Sequence, residues 1–298
     1  MKNKNTTQIV KLNHVILTGG VGSRLWPLSR RSCPKQYLAI FKNKSLFQMT
    51  LERNTSVTGS IIVVGNTSNR TLSESILKKE NKNYIDIIES TPRNTAAAIA
   101  FAAFEVHLEA ILLITPSDQI IIGDNEYKSA LKKAKELAEE GNIVTFGIRP
   151  TKPETGYGYI EFNDTDVISF REKPNRILAQ EFLESGKFLW NSGMFCFKAG
   201  IFLEELKTLA PDIYFTSKYA YDICKTNTNN HQRFLDYELS MKIPSISVDY
   251  AVMENSNKIK VIPSDFEWSD LGSFEAIYDY LISIGHPVDE NGNMLIGS

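Results

Sequence analysis

Three glycines and two basic residues near the N-terminus form the segment with the clearest potential for chemistry. The run Gly19-Gly20-Val21-Gly22-Ser23-Arg24-Leu25 is followed by Pro34-Lys35-Gln36. Glycines let backbone N–H groups approach a phosphate closely, and Arg24 and Lys35 supply the positive charge that a polyphosphate requires. We therefore predict that a nucleoside triphosphate is held by Gly19, Gly20, Gly22, Ser23, Arg24 and Lys35. The alternative is a plain glycine turn beside two solvated cations.

Two better-known phosphate-binding loops do not fit this segment. The spacing Gly20-x-Gly22-x-x-Leu25 lacks the third glycine of a dinucleotide-binding fingerprint, and no Gly-Lys-Ser/Thr follows it. The sequence therefore predicts neither a Rossmann dehydrogenase nor a P-loop nucleotidase.

Asp118 is a candidate metal ligand. It follows the apolar run of residues 110–115, so we expect it at the carboxyl end of a strand, where open α/β sheets bind ligands. A site with few carboxylates suits Mg²⁺, which keeps waters and shares its coordination with substrate phosphates. The alternative role for Asp118 is to cap a turn or a helix.

Residues suited to a sugar phosphate lie in the second half of the chain. Lys173 stands in Glu172-Lys173-Pro174, and the proline predicts extended backbone at Lys173, which fixes the direction of its ammonium. The other candidates are hydrogen-bonding groups and glycines that permit close approach: Gly156, Tyr157, Gly158, Glu172 and Asn191. For an isolated Glu-Lys-Pro, a strand edge with solvated charges is the alternative.

Arg93, Asn94 and Thr95 precede an apolar stretch that we predict to be a helix, residues 96–104. At a helix N-terminus these residues either contact the nucleotide or cap the helix, and the sequence does not choose between the two roles.

The elements that position these residues alternate between strands and helices. Apolar runs at residues 14–18, 61–64, 84–88, 110–115 and 143–147 predict strands. A helix is predicted over residues 125–140, with Asp124 as its cap and Gly141 at its end. This alternation predicts an α/β fold with a mostly parallel sheet. After about residue 150 the strands are shorter and more aromatic.

The chain is expected to form a single domain over residues 1–298. No Pro/Gly/Ser-rich linker divides a nucleotide-binding half, about residues 1–150, from a sugar-phosphate-binding half, about residues 151–285. Residues 286–298 are predicted to begin a possible C-terminal element.

Composition excludes several classes of protein. The net charge of −2 gives no overall preference for nucleic acid or for an anionic membrane, and 42% hydrophobic residues exclude dominant disorder. The longest apolar run, residues 96–104, is too short to span a bilayer. Three separated cysteines suggest neither a disulfide framework nor a zinc site. We expect a cytoplasmic protein that binds no nucleic acid and no membrane.

The ordered motifs resemble the sugar-1-phosphate nucleotidylyltransferases, and Trp26-Pro27-Leu28 with Pro34-Lys35-Gln36 resembles the branch that transfers guanylyl groups to mannose 1-phosphate. Matching segments continue in order along the chain. They are Arg93-Asn94-Thr95-Ala96, Thr115-Pro116-Ser117-Asp118, Glu154-Thr155-Gly156-Tyr157-Gly158, Phe170-Arg171-Glu172-Lys173-Pro174, Trp190-Asn191-Ser192-Gly193, Asp249-Tyr250-Ala251-Val252-Met253-Glu254 and Trp268-Ser269-Asp270-Leu271-Gly272.

This resemblance implies a Rossmann-like, three-layer α/β/α nucleotidyltransferase fold with a mostly parallel, mixed central sheet. It implies GTP and mannose 1-phosphate as substrates, GDP-mannose and pyrophosphate as products, and Mg²⁺ held by Asp118 and Asp270. It assigns catalysis to Arg24, Lys35, Asp118, Lys173 and Asp270. It adds nucleotide contacts from Arg93, Asn94, Thr95 and Ser117. A homodimer is compatible with these features, and no periodicity identifies its surface.

The sequence departs from the family pattern at several positions, and alternatives stay open. Ser23 replaces a threonine, Gln119 a histidine and Ala97 a proline, and residues 90–92 differ before Arg93. Longer members carry a C-terminal β-helix or a fused isomerase domain, and we expect neither here. The alternatives are another nucleotide, another hexose or heptose 1-phosphate, or a catalytically silent subunit that binds a nucleotide sugar.

Overall fold

The computed structural model describes residues 12–20, 22–41, 43–80, 82–226 and 231–296. The strands in these ranges are Leu12–Leu17 (β1), Thr58–Asn66 (β2), Ile85–Glu89 (β3), Ile111–Pro116 (β4), Ile120–Ile122 (β5), Ile143–Ile148 (β6), Tyr159–Asn163 (β7), Asp166–Arg171 (β8), Phe188–Lys198 (β9), Gln232–Phe234 (β10), Ile259–Ser264 (β11) and Glu267–Ser269 (β12). The α-helices are Leu46–Asn54 (α1), Arg70–Lys79 (α2), Asn94–Glu105 (α3), Asp124–Glu139 (α4), Arg176–Ser185 (α5), Ala199–Leu209 (α6), Pro211–Thr226 (α7), Tyr237–Met241 (α8) and Phe274–Ser283 (α9).

The central sheet is mixed, and its strand order is β10-β3-β2-β1-β4-β9-β6-β11-β8-β7. Strands β10, β3, β2, β1 and β4 pair in parallel, as do β6 and β11. Strand β9 runs antiparallel to its neighbours β4, β6 and β7, and β8 runs antiparallel to β7 and β11. A separate ribbon joins β5 to β12. The predicted mixed α/β sheet is confirmed, with its parallel part concentrated in the first half of the chain.

Alternating side chains on the central strands pack into helical layers on the two faces of this sheet. On β4, Leu112 and Ile114 join one apolar cluster with residues of α3, α6 and α7. Their neighbours Ile111 and Leu113 join a second cluster with residues of α4. Successive side chains of a strand point to opposite faces, so this division defines three layers. The predicted helix over residues 96–104 lies within α3, and residues 96–103 are buried.

The predicted helix before Gly141 is confirmed as α4, but its predicted cap is wrong. Gly123 occupies the cap position with φ of 106°, and Asp124 is the first helical residue. The chain must turn sharply out of β5 at this point, which a glycine in the left-handed region permits. Asp124 instead places a negative charge in the first turn, where the helix dipole favours it.

Within the described residues, every helix is too short or too polar to traverse a lipid bilayer.

Candidate active site

The glycine-rich loop leaves the carboxyl end of β1 and is held by a short 3₁₀ helix, Lys35–Tyr37. Gly20 and Gly22 have φ of 90° and 69°, a region that L side chains rarely adopt. The side-chain amide of Gln36 donates hydrogen bonds to the carbonyl oxygens of Thr18 (2.8 Å) and Gly20 (3.2 Å). The predicted cradle and the Pro34-Lys35-Gln36 segment are therefore in direct contact.

Lys35 joins the two predicted metal ligands. Its side chain is buried, and its Nζ lies 2.9 Å from Oδ2 of Asp118. The same ammonium donates a hydrogen bond to the backbone carbonyl oxygen of Asp270. Residues 152 positions apart in the sequence, Asp118 and Asp270, therefore meet through one lysine.

Asp270 is oriented by three further groups. Its Oδ1 accepts hydrogen bonds from the Tyr157 hydroxyl (2.6 Å) and from the Gly272 N–H (3.0 Å). Its Oδ2 lies 3.8 Å from an Nη atom of Arg24, whose side chain is 73% exposed. Arg24 is therefore free to turn toward a bound anion, whereas Lys35 is fixed.

The two acidic residues that contact Lys35 offer ligands suited to a hard divalent cation. Asp118 and Asp270 supply oxygen ligands only, the donor type that Mg²⁺ prefers. In the part of the chain that the structure describes, no group of three or more His, Cys, Asp or Glu side chains lies together. A pair of carboxylates matches the preference of Mg²⁺ for sites completed by phosphates and water, so the donor set fits this ion.

A cavity of about 350 Å³ opens beside the glycine-rich loop. Gly19, Gly20, Asn94, Thr95 and Asp118 all line it. Its walls also include apolar side chains from the ends of β1, β2 and α3. A largely apolar cleft with a few polar groups is the usual form of a small-molecule site, and this one has the walls that a flat base requires.

At the start of α3, two residues line the cavity and one bonds to the neighbouring backbone. Asn94 and Thr95 line the cavity, and the Thr95 hydroxyl accepts a hydrogen bond from the Val248 N–H at 2.8 Å. Arg93 occupies the cap position without a side-chain capping bond. Its Nε donates to the carbonyl oxygen of Ile243 at 2.6 Å, so Arg93 fastens the loop that closes the cavity.

Ser117 connects the ends of β1 and β4 below this cavity. Its N–H donates to the carbonyl oxygen of Leu17 at 3.0 Å. Its buried hydroxyl has no hydrogen-bond partner among the described residues, so it has capacity for one more contact.

The predicted sugar-phosphate residues gather around Asn191 and Glu172. The Asn191 side chain donates to Oδ1 of Asp249 (3.0 Å) and accepts from the Thr145 hydroxyl (2.9 Å). A Cβ at Gly158 would lie 2.6 Å from Oε2 of Glu172, so only glycine fits there beside this carboxylate. Nearby, the Gly156 N–H donates to Oε1 of Glu154 at 3.0 Å, which shapes the turn before Tyr157.

The prediction of extended backbone at Lys173 is wrong. Lys173 has φ of 47°, although Pro174 follows it. Its Nζ lies 2.8 Å from Oε1 of Glu172. The turned backbone brings the ammonium back over the preceding side chain, and the ion pair raises the pKa of Lys173. The lysine is therefore a protonated cation at the edge of the cleft.

Two acidic residues were given no role in the sequence prediction of the site, although Asp249 lies in one of the matching segments. Burial, and then the nearby Glu172 carboxylate, raises the pKa of Asp249 to about 7. Burial likewise raises the pKa of Glu89 to about 7, against a hydrogen bond from the Arg93 N–H. Both line the cavity. Glu89 ends β3 as Asp118 follows β4, and this shared position was the available signal.

The fold agrees with comparisons to known proteins. The family model for nucleotidyl transferases matches residues 13–284, and the chain belongs to that family. A mannose-1-phosphate guanylyltransferase from Salmonella muenchen is 41% identical over 282 residues, which make up 90% of this chain and 59% of that protein. The chain thus spans less than two thirds of the length of this curated relative.

Two solved structures share the fold. One, from Helicobacter pylori and named a mannose-6-phosphate isomerase, is 37% identical with a TM-score of 0.78, over 87% of this chain and 99% of that one. The other, from Thermus thermophilus and named a mannose-1-phosphate geranyltransferase, is 30% identical with a TM-score of 0.77, over 93% of this chain and 81% of that one.

Proposed function

We propose that this chain transfers GMP from GTP to α-D-mannose 1-phosphate, giving GDP-mannose and pyrophosphate. The observation that carries the proposal is the buried Lys35 ammonium, which contacts both Asp118 and the Asp270 backbone, beside a cavity lined by Asp118 and the glycine-rich loop. This arrangement suits the transfer of a phosphoryl group between two anions. The 41% identical relative, which is named for this reaction, supports the choice of substrates.

In the proposed reaction, an oxygen of the sugar phosphate attacks the α-phosphorus of GTP. The bond from that phosphorus to the bridging oxygen of the β-phosphate breaks, and pyrophosphate leaves. Lys35 and Arg24 face the departing pyrophosphate, and Lys173 holds the attacking sugar phosphate. Fixed cations stabilise charge as it develops, and holding both substrates together supplies much of the remaining rate enhancement.

Asp118 and Asp270 would hold Mg²⁺, and Tyr157 and Gly272 fix the orientation of the second carboxylate. Bound there, the ion would screen the repulsion between the two sets of phosphate oxygens. On the sugar side, Glu172, Asn191 and Asp249 offer acceptors and donors for hydroxyl groups.

Glu89 supports guanine as the base. Its carboxyl group lines the same cavity as Asn94 and Thr95. Glu89 ends β3, and two strands, β2 and β1, separate β3 from β4, the strand that Asp118 follows. Guanine presents N–H donors on the edge where adenine presents an acceptor, and an ionised carboxylate is an acceptor only. Binding of guanine would therefore favour the ionised form of Glu89. A cytoplasmic location and a homodimer stay predictions.

The test is pyrophosphate release from each of four nucleoside triphosphates with mannose, glucose and other hexose 1-phosphates, in the presence of Mg²⁺. We expect release with GTP and mannose 1-phosphate, and a loss of at least about 100-fold in Asp118→Ala, because the site then lacks a metal ligand. Conversion of mannose 6-phosphate is measured in parallel, because the Helicobacter pylori structure carries the isomerase name. Release with another pair would change the substrates, and no release with any pair would contradict the proposed reaction.

A further inference from the structure

Arg53, on α1, carries a guanidinium group without a hydrogen-bond acceptor or an ion pair among the residues that the structure describes. Its recorded contact is with the ring of Tyr127, whose centroid lies 5.8 Å from the guanidinium carbon. Arg53 is half-buried, and burial lowers the pKa of its guanidinium group. An arginine has five N–H donors, and a partly desolvated cation without protein partners is costly. An anionic ligand would remove that cost.

A pocket of about 460 Å³ lies in front of this group. It is lined by the bridge between Phe41 and Lys44, by α1 and the turn after it, by Ile121 of β5, by the first turns of α4, and by α9. We call it the α1–α9 pocket. Its lining includes Phe41, Lys44, Met49, Arg53, Lys128 and Tyr280.

The charges that face the α1–α9 pocket leave a positive excess. Lys44 and Glu52 form an ion pair at 2.6 Å and neutralise each other. Arg53 and Lys128 then face one carboxylate, Asp124, which lies beyond ion-pair distance of either. The pocket therefore carries about one net positive charge, with Arg53 as its least exposed cation.

One wall of the pocket is apolar and aromatic. The rings of Phe41 and Tyr280 lie 5.7 Å apart, and Met49 and Ile121 also contribute to the lining. The paired N–H donors of a guanidinium group beside such a wall suit a phosphate group that belongs to a larger organic molecule.

We propose that the α1–α9 pocket binds the phosphate group of a small phosphorylated metabolite, with Arg53 as the forked donor and Lys128 as the second cation. Arg53 does not line the cavity beside the glycine-rich loop, so this site is distinct from the candidate active site.

The pocket also touches both chain segments that carry the central site residues. Phe41 follows the 3₁₀ helix that contains Lys35, and α9 begins four residues after Asp270. Phe41, Leu271 and Ile277 belong to one apolar cluster, so these segments pack on each other. A ligand that bridges Arg53 and the α9 wall would therefore favour one arrangement of the segments beside the active site.

The test is calorimetric titration with inorganic phosphate and with GMP, without divalent metal and at constant ionic strength. Wild type is compared with Arg53→Gln, Arg53→Lys, Lys128→Gln and the control Lys132→Gln, which removes an exposed lysine one turn along α4. Binding in the cleft is common to all five proteins, so differences between them report on the α1–α9 pocket.

We expect Arg53→Gln to lose at least about tenfold in phosphate affinity at one class of site, Lys128→Gln about threefold or more, and Lys132→Gln nothing. Arg53→Lys keeps the positive charge but not the paired N–H donors, so its loss of phosphate affinity should be smaller than that of Arg53→Gln. A larger loss with GMP than with phosphate assigns a role to the aromatic wall, and an equal loss assigns binding to the phosphate alone. Phosphate affinity within about twofold of wild type in folded Arg53→Gln, or an equal loss in Lys132→Gln, would overturn the proposal. If Arg53→Gln does not fold, Arg53→Lys and Lys128→Gln decide by the same criterion.

Discussion

At the scale of single residues, the orientation of Asp270 depends on groups that the sequence separates widely. Its Oδ1 accepts from the Tyr157 hydroxyl, 113 positions away, and from the nearby Gly272 N–H. Groups that orient a metal-binding carboxylate commonly change metal affinity or activity by about 10- to 100-fold when they are removed. Tyr157 is therefore expected to act through Asp270 rather than through the substrate.

Tyr157→Phe should raise the Mg²⁺ concentration needed for half-maximal activity by about tenfold, because one hydrogen bond that orients Asp270 is lost. The measurement is the Mg²⁺ dependence of pyrophosphate release at saturating substrates. Tyr159→Phe is the matched control, since its ring packs against Phe182 rather than beside Asp270. An unchanged Mg²⁺ dependence in Tyr157→Phe would show that the hydroxyl does not position the carboxylate.

The fold brings together Lys35, Asp118 and Asp270, three residues that the resemblance placed in one site. Their catalytic and metal-binding roles stay predictions. The prediction for Lys173 was wrong, because the local preference of a residue before proline gave way to the Glu172 ion pair and the surrounding fold. Glu89 and Asp249 were given no role because burial, which raises their pKa values, is a tertiary property. Neither the strand-end position of Glu89 nor the motif that contains Asp249 reveals it.

At the scale of elements, a buried histidine links two central strands to α1. The His14 Nε2 on β1 lies 2.8 Å from the Thr115 hydroxyl on β4 and 3.1 Å from the side-chain nitrogen of Asn54 on α1. The Asn54 amide donates, so Nε2 accepts and the ring proton lies on Nδ1. Burial, and then the nearby positive charge of Arg53, lowers the pKa of His14 to about 3.

This shift predicts a pH dependence of stability. The folded state holds His14 neutral, whereas the unfolded chain binds a proton below pH 6.5, so the contribution to stability is complete above that pH and is lost as the pH falls toward about 3. Between about pH 7 and pH 5 the free energy of unfolding should fall by about 2 kcal/mol on this account. His14→Gln, though less stable overall, should lack this part of the slope in urea titrations. The exposed His107→Gln should keep it, and equal slopes in all three proteins would contradict the prediction.

The sequence predicted elements with a clear hydrophobic period and left others unassigned. Strands β1 to β4 and helix α4 have apolar runs or a single apolar face, and they were found. Strand β11 was not predicted from the sequence, because Pro263 argues against the interior of a strand. In the structure β8 pairs with β11 at Lys260, so the end of β11 that holds Pro263 pairs with β6 alone and tolerates a residue without an N–H donor.

At the scale of the whole molecule, β9 decides how the two halves of the chain are joined. It comes from the second half but lies between β4 and β6, both from the first. Sequence patterns predict strands but not their order in a sheet, since that order depends on contacts between distant residues. The insertion of β9 explains how Asn191, on this strand, contacts Asp249, which lines the same cavity as Asp118.

A strand shared in this way predicts that the chain unfolds as one cooperative unit, as the single-domain expectation requires. Tryptophan fluorescence mainly follows the second half, through Trp190 on β9 and Trp268 on β12, whereas far-ultraviolet circular dichroism follows all helices and strands. Their urea midpoints should coincide. Phe197→Leu, at a buried position of β9 opposite Leu112 on β4, should lower both midpoints together by an amount equal to about 1 kcal/mol, because both halves lose packing at once. Separate midpoints, or a shift in only one of them, would show that the halves unfold independently despite the continuous sheet.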